Sequence, residues 1–261
     1  MQNVKDEIEE QRAFFNANGY LIVKNILTPD ELRELRARVD GALAGSQPQF
    51  GDFDVQWEPG MEQRTDLPRA QRIRVFFHLC HRDEWFWRYA TQPKIVRIIE
   101  ALLGPSPRIY TDQLFVKGAY NGSAVPYHQD AAYWPVIPMN MISCWMAIDD
   151  ATLENGCVRV VPGTHKKFIP HTHFTSGPQS LGLLDHEVDA ATEIPIELPA
   201  GSCMFHHSLL IHRSTSNSSA RSRRGLVSIY MPEHFELANP WPFKHGFKSI
   251  HEKQGCGACA K

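Results

Sequence analysis

The spacing of apolar residues changes near Pro107. Before it, hydrophobic positions recur at helical intervals; after it, they alternate in short runs with the period of a strand. Residues 2–17 are charged around Ile8, Phe14 and Phe15, which predicts an amphipathic helix, and residues 19–23 follow as a strand. Thr28-Pro29-Asp30-Glu31 is a helix start, with Thr28 as N-cap, proline in the first turn and Glu31 placed to complete a capping box. That helix carries Leu32, Leu35 and Val39 inward. Residues 46–72 have little periodicity and read as a long loop bordering the site. Residues 72–77 read as a short strand. Residues 85–103 read as one helix, with Ile95, Ile98, Ile99 and Leu102 on a common face and a stop at Gly104-Pro105.

Beyond Pro107 the predicted strands are 108–117, 124–130, 141–149, 157–161, 193–198, 202–207, 209–213 and 224–231. Residues 164–186 lack such a pattern and are expected to form a second loop over the barrel mouth. Helices first and many short strands afterwards predict a mainly β fold, a double-stranded β-helix (jelly-roll, cupin-like) core with α-helices packed on one sheet. The expected organisation is one domain over residues 1–261: mostly helical support to residue 107, a core over 108–233 and a flexible tail over 250–261.

Composition narrows the function. A formal net charge of −2 provides no basic field for nucleic acid. No apolar run approaches the ~20 residues that cross a bilayer, so a membrane partner is not expected either. Six cysteines without a signal peptide predict reduced thiols in a cytoplasmic protein, a monomer or weak homo-oligomer acting on a small molecule. Cys144, Cys157 and Cys203 sit in apolar runs and read as core residues. Cys256 and Cys259 form a Cys-x-x-Cys with no second pair, beside Gly255 and Gly257, in the expected tail.

The chemistry begins at Tyr127-His128-Gln129-Asp130. On an extended chain His128 and Asp130 point the same way, and a third ligand from His212 completes a set of two imidazoles and one carboxylate. Such a set leaves three adjacent positions open on an octahedral ion, as in non-haem Fe(II) oxygenases. Downstream, one strand face reads Arg223, Gly225, Val227, Ile229, Met231, an apolar face that begins with a guanidinium. An inward arginine needs an anion, and its planar fork suits a carboxylate such as the far end of a 2-oxo diacid. His212 and Ser214 share a parity, and residues 215–220 have the turn chemistry to fold Arg223 back beside them. Read singly, His212 also fits a strand-end histidine, and Arg221, Arg223 and Arg224 a solvated basic loop.

Taken together, several motifs resemble the phytanoyl-CoA dioxygenase family of Fe(II)/2-oxoglutarate oxygenases. They are Tyr127 to Asp130, the run from Cys144 to Asp150, Glu154 to Cys157, Val161 to Lys166, and Phe205 to His212, together with the spacing from His212 to Arg223. The resemblance covers about Phe14 to Glu233. It implies iron bound by His128, Asp130 and His212, a 2-oxoglutarate carboxylate bound by Ser214 and Arg223, and a pocket wall at Trp145. Gln113 and Lys117, on the strand before the first ligand, are expected to face the same pocket, Lys117 as an anion contact. His207 is a candidate hydrogen-bond partner of a metal ligand.

The implied reaction uses Fe(II), 2-oxoglutarate and O₂ to hydroxylate an aliphatic C–H, releasing succinate and CO₂; Asp130 favours hydroxylation over halogenation. A barrel holding zinc without a cosubstrate, and a structural jelly-roll with no metal, remain as alternatives. Specificity is expected in residues 50–66 and 170–185, where Phe50, Phe53, Trp57, Met61 and Phe174 suggest an apolar wall. No Lys/Arg cluster stands out for the phosphates of CoA.

Overall fold

The computed structural model describes residues 2–134, 136–174, 180–238 and 249–251. Cys256, Cys259 and the rest of the expected tail beyond residue 251 lie outside the described residues.

Two antiparallel sheets face each other, as in a jelly-roll. The larger has the order Tyr20–Val23, Cys203–His207, Ile142–Ala147, Arg223–Met231, Arg108–Lys117, Ile73–Phe77, Val55–Trp57. The smaller has the order Ile194–Ile196, Val158–Val160, His212–Ser214, Val125–His128. Strand parity sorts the side chains. Leu114, Leu226, Phe205 and Met146 point out of the larger sheet and bury against the helices, with Leu35, Val39, Phe86 and Ile99. Trp145, Met204, Val227 and Ile229 point between the sheets, where they meet Val158 and Val160. A third cluster of Tyr127, Val161, Leu183, Val188 and Ile211 closes the outer face of the smaller sheet. The space between the sheets is only partly filled, and there the site lies.

The helix Pro29–Ala44 begins as its sequence predicts. The Glu31 amide donates to Thr28 Oγ1 at 3.3 Å, and the Thr28 amide donates to Glu31 Oε2 at 2.7 Å. It ends on Gly45 at φ 73°, a left-handed cap that glycine adopts without strain. The predicted helix over 85–103 is two helices, Glu84–Ala90 and Pro93–Leu103, because Pro93 lacks an amide proton and starts a new first turn. The predicted loop over 46–72 contains the strand Val55–Trp57 and the helix Arg69–Arg72. Three residues are too short to show a period, and the strand forms because Ile73–Phe77 offers it an edge. The strand predicted over 209–213 is paired only from His212 to Ser214, after a turn in which the Leu210 amide donates to His207 O. Among the described residues no helix is long and apolar enough to cross a membrane.

Candidate metal and cosubstrate site

His128 ends its strand, and His212 begins the neighbouring one directly opposite. This cross-strand pairing brings the two rings to 4.1 Å between centroids. Each ring is fixed through Nδ1 at 2.9 Å from a backbone carbonyl two residues earlier, His128 to Pro126 O and His212 to Leu210 O. The carbonyls can only accept, so both Nδ1 atoms carry the proton and both Nε2 lone pairs are free to bind a metal. Strand pairing stops at His128, but Gln129 stays extended at φ −113° and ψ 129°, so Asp130 follows on the face of His128 before a 3₁₀ turn begins. Gln129 points the other way, fully buried. Its amide nitrogen donates to Lys167 O and Leu209 O, and its oxygen accepts from the Ile169 amide, which clamps the residue between the ligands.

Asp130 Oδ1 lies 3.6 Å from His128 Nε2 and 3.7 Å from His212 Nε2. The three donor atoms lie within 4.8 Å of one another and could hold a metal ion. Burial, reinforced by the neighbouring His128, pulls His212 down to about 3, which keeps it a neutral ligand. Burial opposes ionisation of Asp130, but the nearby His212 imidazole and the hydrogen bond from His206 outweigh it and hold the carboxyl well below the usual carboxylate range.

The ligands open into a cavity of about 450 Å³. Gln113, Lys117, Trp145, Ser214 and Arg223 all line it with them. Arg223 is 2% exposed, and burial pulls its guanidinium down only to about 10, so it stays charged. Its Nη2 donates to Gly156 O, while its Nε is buried with no hydrogen-bond partner among the described residues. A buried, charged donor in that state calls for an anion. The turn at Asn155-Gly156 therefore also positions the arginine. A Cβ at Gly156 would meet Thr215 O at 2.3 Å, and the residue sits at φ 78°, so glycine is required twice over.

Lys117 pairs across the sheet with Arg223 and donates to Ser123 O. Burial, with Arg223 and Arg74 nearby, brings it down to about 6. Arg74 and Glu58, which the sequence reading did not single out, reach the same end of the cavity: both bind Ser123 Oγ, at 3.2 Å and 2.6 Å.

Two expectations are corrected. The residue beside the ligands is His206, not His207. His206 Nε2 lies 3.1 Å from Asp130 Oδ2, whereas His207 turns through the sheet towards Phe15 and His165. The alternation of the Cys203–His207 strand decides this, since His206 shares the inward face with Met204. The expected apolar wall is also absent. Phe50 packs on Phe76 and Phe86 in the helix-side core, and Trp57 packs under Arg72. Neither these nor Met61 and Phe174 line the cavity, and the side chain of Phe53 lies outside the described residues. The aromatic wall is instead Phe77, Tyr110, Phe115, Tyr133 and Trp134.

The profile of the phytanoyl-CoA dioxygenase family matches residues 15–225, most of the chain. The chain belongs to the phytanoyl-CoA dioxygenase family. Within it, the peroxisomal phytanoyl-CoA dioxygenase of Rattus norvegicus is 28% identical over 230 residues, which cover 85% of this chain and 67% of the rat protein. The chain thus spans about two-thirds of the length of the mammalian relatives, at 66% to 68%. L-proline trans-4-hydroxylase of Streptomyces griseoviridis is 27% identical over 250 residues, covering 87% of this chain and 88% of that enzyme. Among solved structures, the epimerase SnoN, in complex with Fe³⁺, α-ketoglutarate and nogalamycin RO, superposes with a TM-score of 0.72 at 22% identity, covering 97% of this chain and 93% of that one. EctD from S. alaskensis with 2-oxoglutarate and 5-hydroxyectoine gives 0.70 at 21%, covering 85% and 75%.

Proposed function

We propose that this family member is a non-haem Fe(II)- and 2-oxoglutarate-dependent dioxygenase that hydroxylates, or otherwise oxidises, an aliphatic C–H of a small molecule. Arg223 carries the reading. A zinc-storing barrel needs the three ligands, but it has no use for a buried guanidinium that lines the same cavity and whose Nε has no hydrogen-bond partner among the described residues. Two solved neighbours, SnoN and EctD, hold 2-oxoglutarate, and SnoN holds iron beside it.

His128, Asp130 and His212 would hold Fe(II), and the bound metal would supply the chemistry that couples O₂ to decarboxylation of 2-oxoglutarate, with succinate and CO₂ as coproducts. The chain supplies position. Arg223 meets the far carboxylate of the cosubstrate with its fork of donors, and Ser214 adds a hydroxyl on the same side. Trp145 forms the floor, and Gln113 offers an amide on the adjacent strand. Lys117 adds a donor at the cationic end of the cavity. Tyr133 and Trp134, three and four residues after Asp130, line the cavity with the metal ligands, the Tyr133 ring 5.9 Å from that of His128, and would help to keep water from a substrate. A cavity of about 450 Å³ that must hold the cosubstrate as well favours a small substrate over the whole of a CoA thioester. The protein acts as a cytoplasmic monomer or weak homo-oligomer, with neither nucleic acid nor membrane as partner.

Calorimetric titration of 2-oxoglutarate into Fe(II)-loaded protein under anaerobic conditions tests the reading. One site per chain is expected. Iron binding without 2-oxoglutarate binding would leave the metal-storing barrel as the better account.

A further inference from the structure

Asp130 bridges the two sheets. Its Oδ1 faces the ligand imidazoles of the smaller sheet, whereas its Oδ2 is gripped by the larger one. Ser143 Oγ donates to Oδ2 at 3.0 Å, and His206 Nε2 lies 3.1 Å from the same oxygen. These two residues are direct cross-strand partners on adjacent strands, so the sheet register presents both to one oxygen. An ionised carboxylate can only accept, so His206 Nε2 carries the proton of this contact. His206 is 2% exposed, and its Nδ1 is buried with no hydrogen-bond partner among the described residues. Burying an imidazole with one nitrogen unsatisfied costs stability, and among the described residues the hydrogen bond recovered there is the one to Asp130.

We infer that His206 is a positioning residue of the metal site: with Ser143 it captures Asp130 Oδ2, so that the carboxylate offers the metal a single oxygen and cannot chelate through both. The inference rests on the metal reading above. A carboxylate freed from this grip is able to turn about its own axis and present both oxygens, taking one of the three positions that the cosubstrate and O₂ require. His206 does not touch the metal. It acts through Asp130, and a glutamine there can do the same work, because Nε2 of Gln and Nε2 of His both carry a donor at the end of the side chain.

The test is metal binding to the full chain, read without turnover. Fe(II) affinity is measured anaerobically by competition with a chromophoric chelator, and ligand geometry is read from the visible spectrum of the Co(II)-substituted protein. His206→Phe keeps the ring shape and removes the donor; it should weaken Fe(II) binding by about 10- to 100-fold and alter the Co(II) spectrum. His206→Gln should stay within about threefold of the wild type and keep its spectrum. Should His206→Phe not fold, as judged by thermal melting of the apo protein, His206→Asn replaces it: its amide is too short to reach Oδ2, and the same weakening is expected. A donor-less variant with wild-type affinity and spectrum overturns the inference, as does a glutamine variant as weak as the phenylalanine one. If the wild-type chain itself binds no Fe(II), the metal reading fails instead.

Discussion

The guanidinium of Arg223 lies over the indole of Trp145, 5.2 Å from the ring centroid, and both face the cavity into which the metal ligands open. The two meet because Gly225 leaves room. Gly225 follows Arg223 on the inward face of its strand, and a Cβ there would lie 2.4 Å from Trp145 Cζ2. The indole leans over the glycine and supports the arginine through a cation–π contact. A stretch that reads as an apolar strand face is thus shaped around a buried guanidinium.

Gly225→Ala should disturb this arrangement without touching the metal ligands. Overpacking of this kind costs about 1 to 3 kcal/mol, and displacing the indole moves the arginine with it. Thermal melting and 2-oxoglutarate titration of the variant should show a lower midpoint and a weaker cosubstrate affinity, with iron content unchanged. Wild-type values for both would show that Trp145 does not hold Arg223 in place.

Arg223→Lys should lower the apparent affinity for 2-oxoglutarate by roughly tenfold or more, with iron retained. A lysine keeps the charge but cannot form the bidentate fork. The readout is the 2-oxoglutarate concentration giving half-maximal succinate release. An unchanged value would move the anchor elsewhere, with Lys117 and Arg74 at the same end of the cavity as the next residues to replace.

A separate prediction concerns Asp112, which faces the helices from the strand that carries Gln113 and Lys117. It accepts from the Cys80 amide at 2.9 Å, its Oδ1 has no hydrogen-bond partner among the described residues, and burial raises its carboxyl to about 7. A carboxyl raised in the folded state binds a proton that the unfolded chain has released, so stability falls as pH rises from the ordinary value of about 3.9 to the folded value and is level above it. Asp112→Asn removes this loss. The advantage of the variant over the wild type in melting temperature should therefore be larger at pH 8 than at pH 4.5. A difference that does not change with pH would show that Asp112 does not titrate with folding.

The common face of His128 and Asp130, and the inward faces of His212, Ser214 and Arg223, were legible in the sequence from the parity of extended runs, and the family resemblance joined them into one site. His206 was not. Two adjacent histidines carry no local sign of which one turns inward; that depends on the pairing of the strand with Ile142–Ala147, a long-range fact. Arg74 and Glu58 were missed for the same reason, since their approach to Ser123 comes through an edge of the larger sheet formed by residues 55–57 and 73–77. The expected aromatic wall failed differently. Phe50 and Trp57 are large apolar residues in an irregular segment, and packing against the helix-side core claims them before any cavity can. Pro93, by contrast, was a visible break that the continuous helical pattern around it masked.

The most direct measurement is succinate formed from 2-oxoglutarate by the Fe(II)-loaded chain in the presence of O₂, compared with Asp130→Ala and with His128→Ala and His212→Ala. A small-molecule pool is supplied as substrate, and iron content is measured in parallel. The account predicts iron-dependent succinate release by the wild type, and loss of both iron and release in each variant while all remain folded, because a three-ligand site does not survive the removal of one ligand. Full succinate release by Asp130→Ala, or an iron-loaded wild type that consumes no 2-oxoglutarate with any substrate, would contradict it.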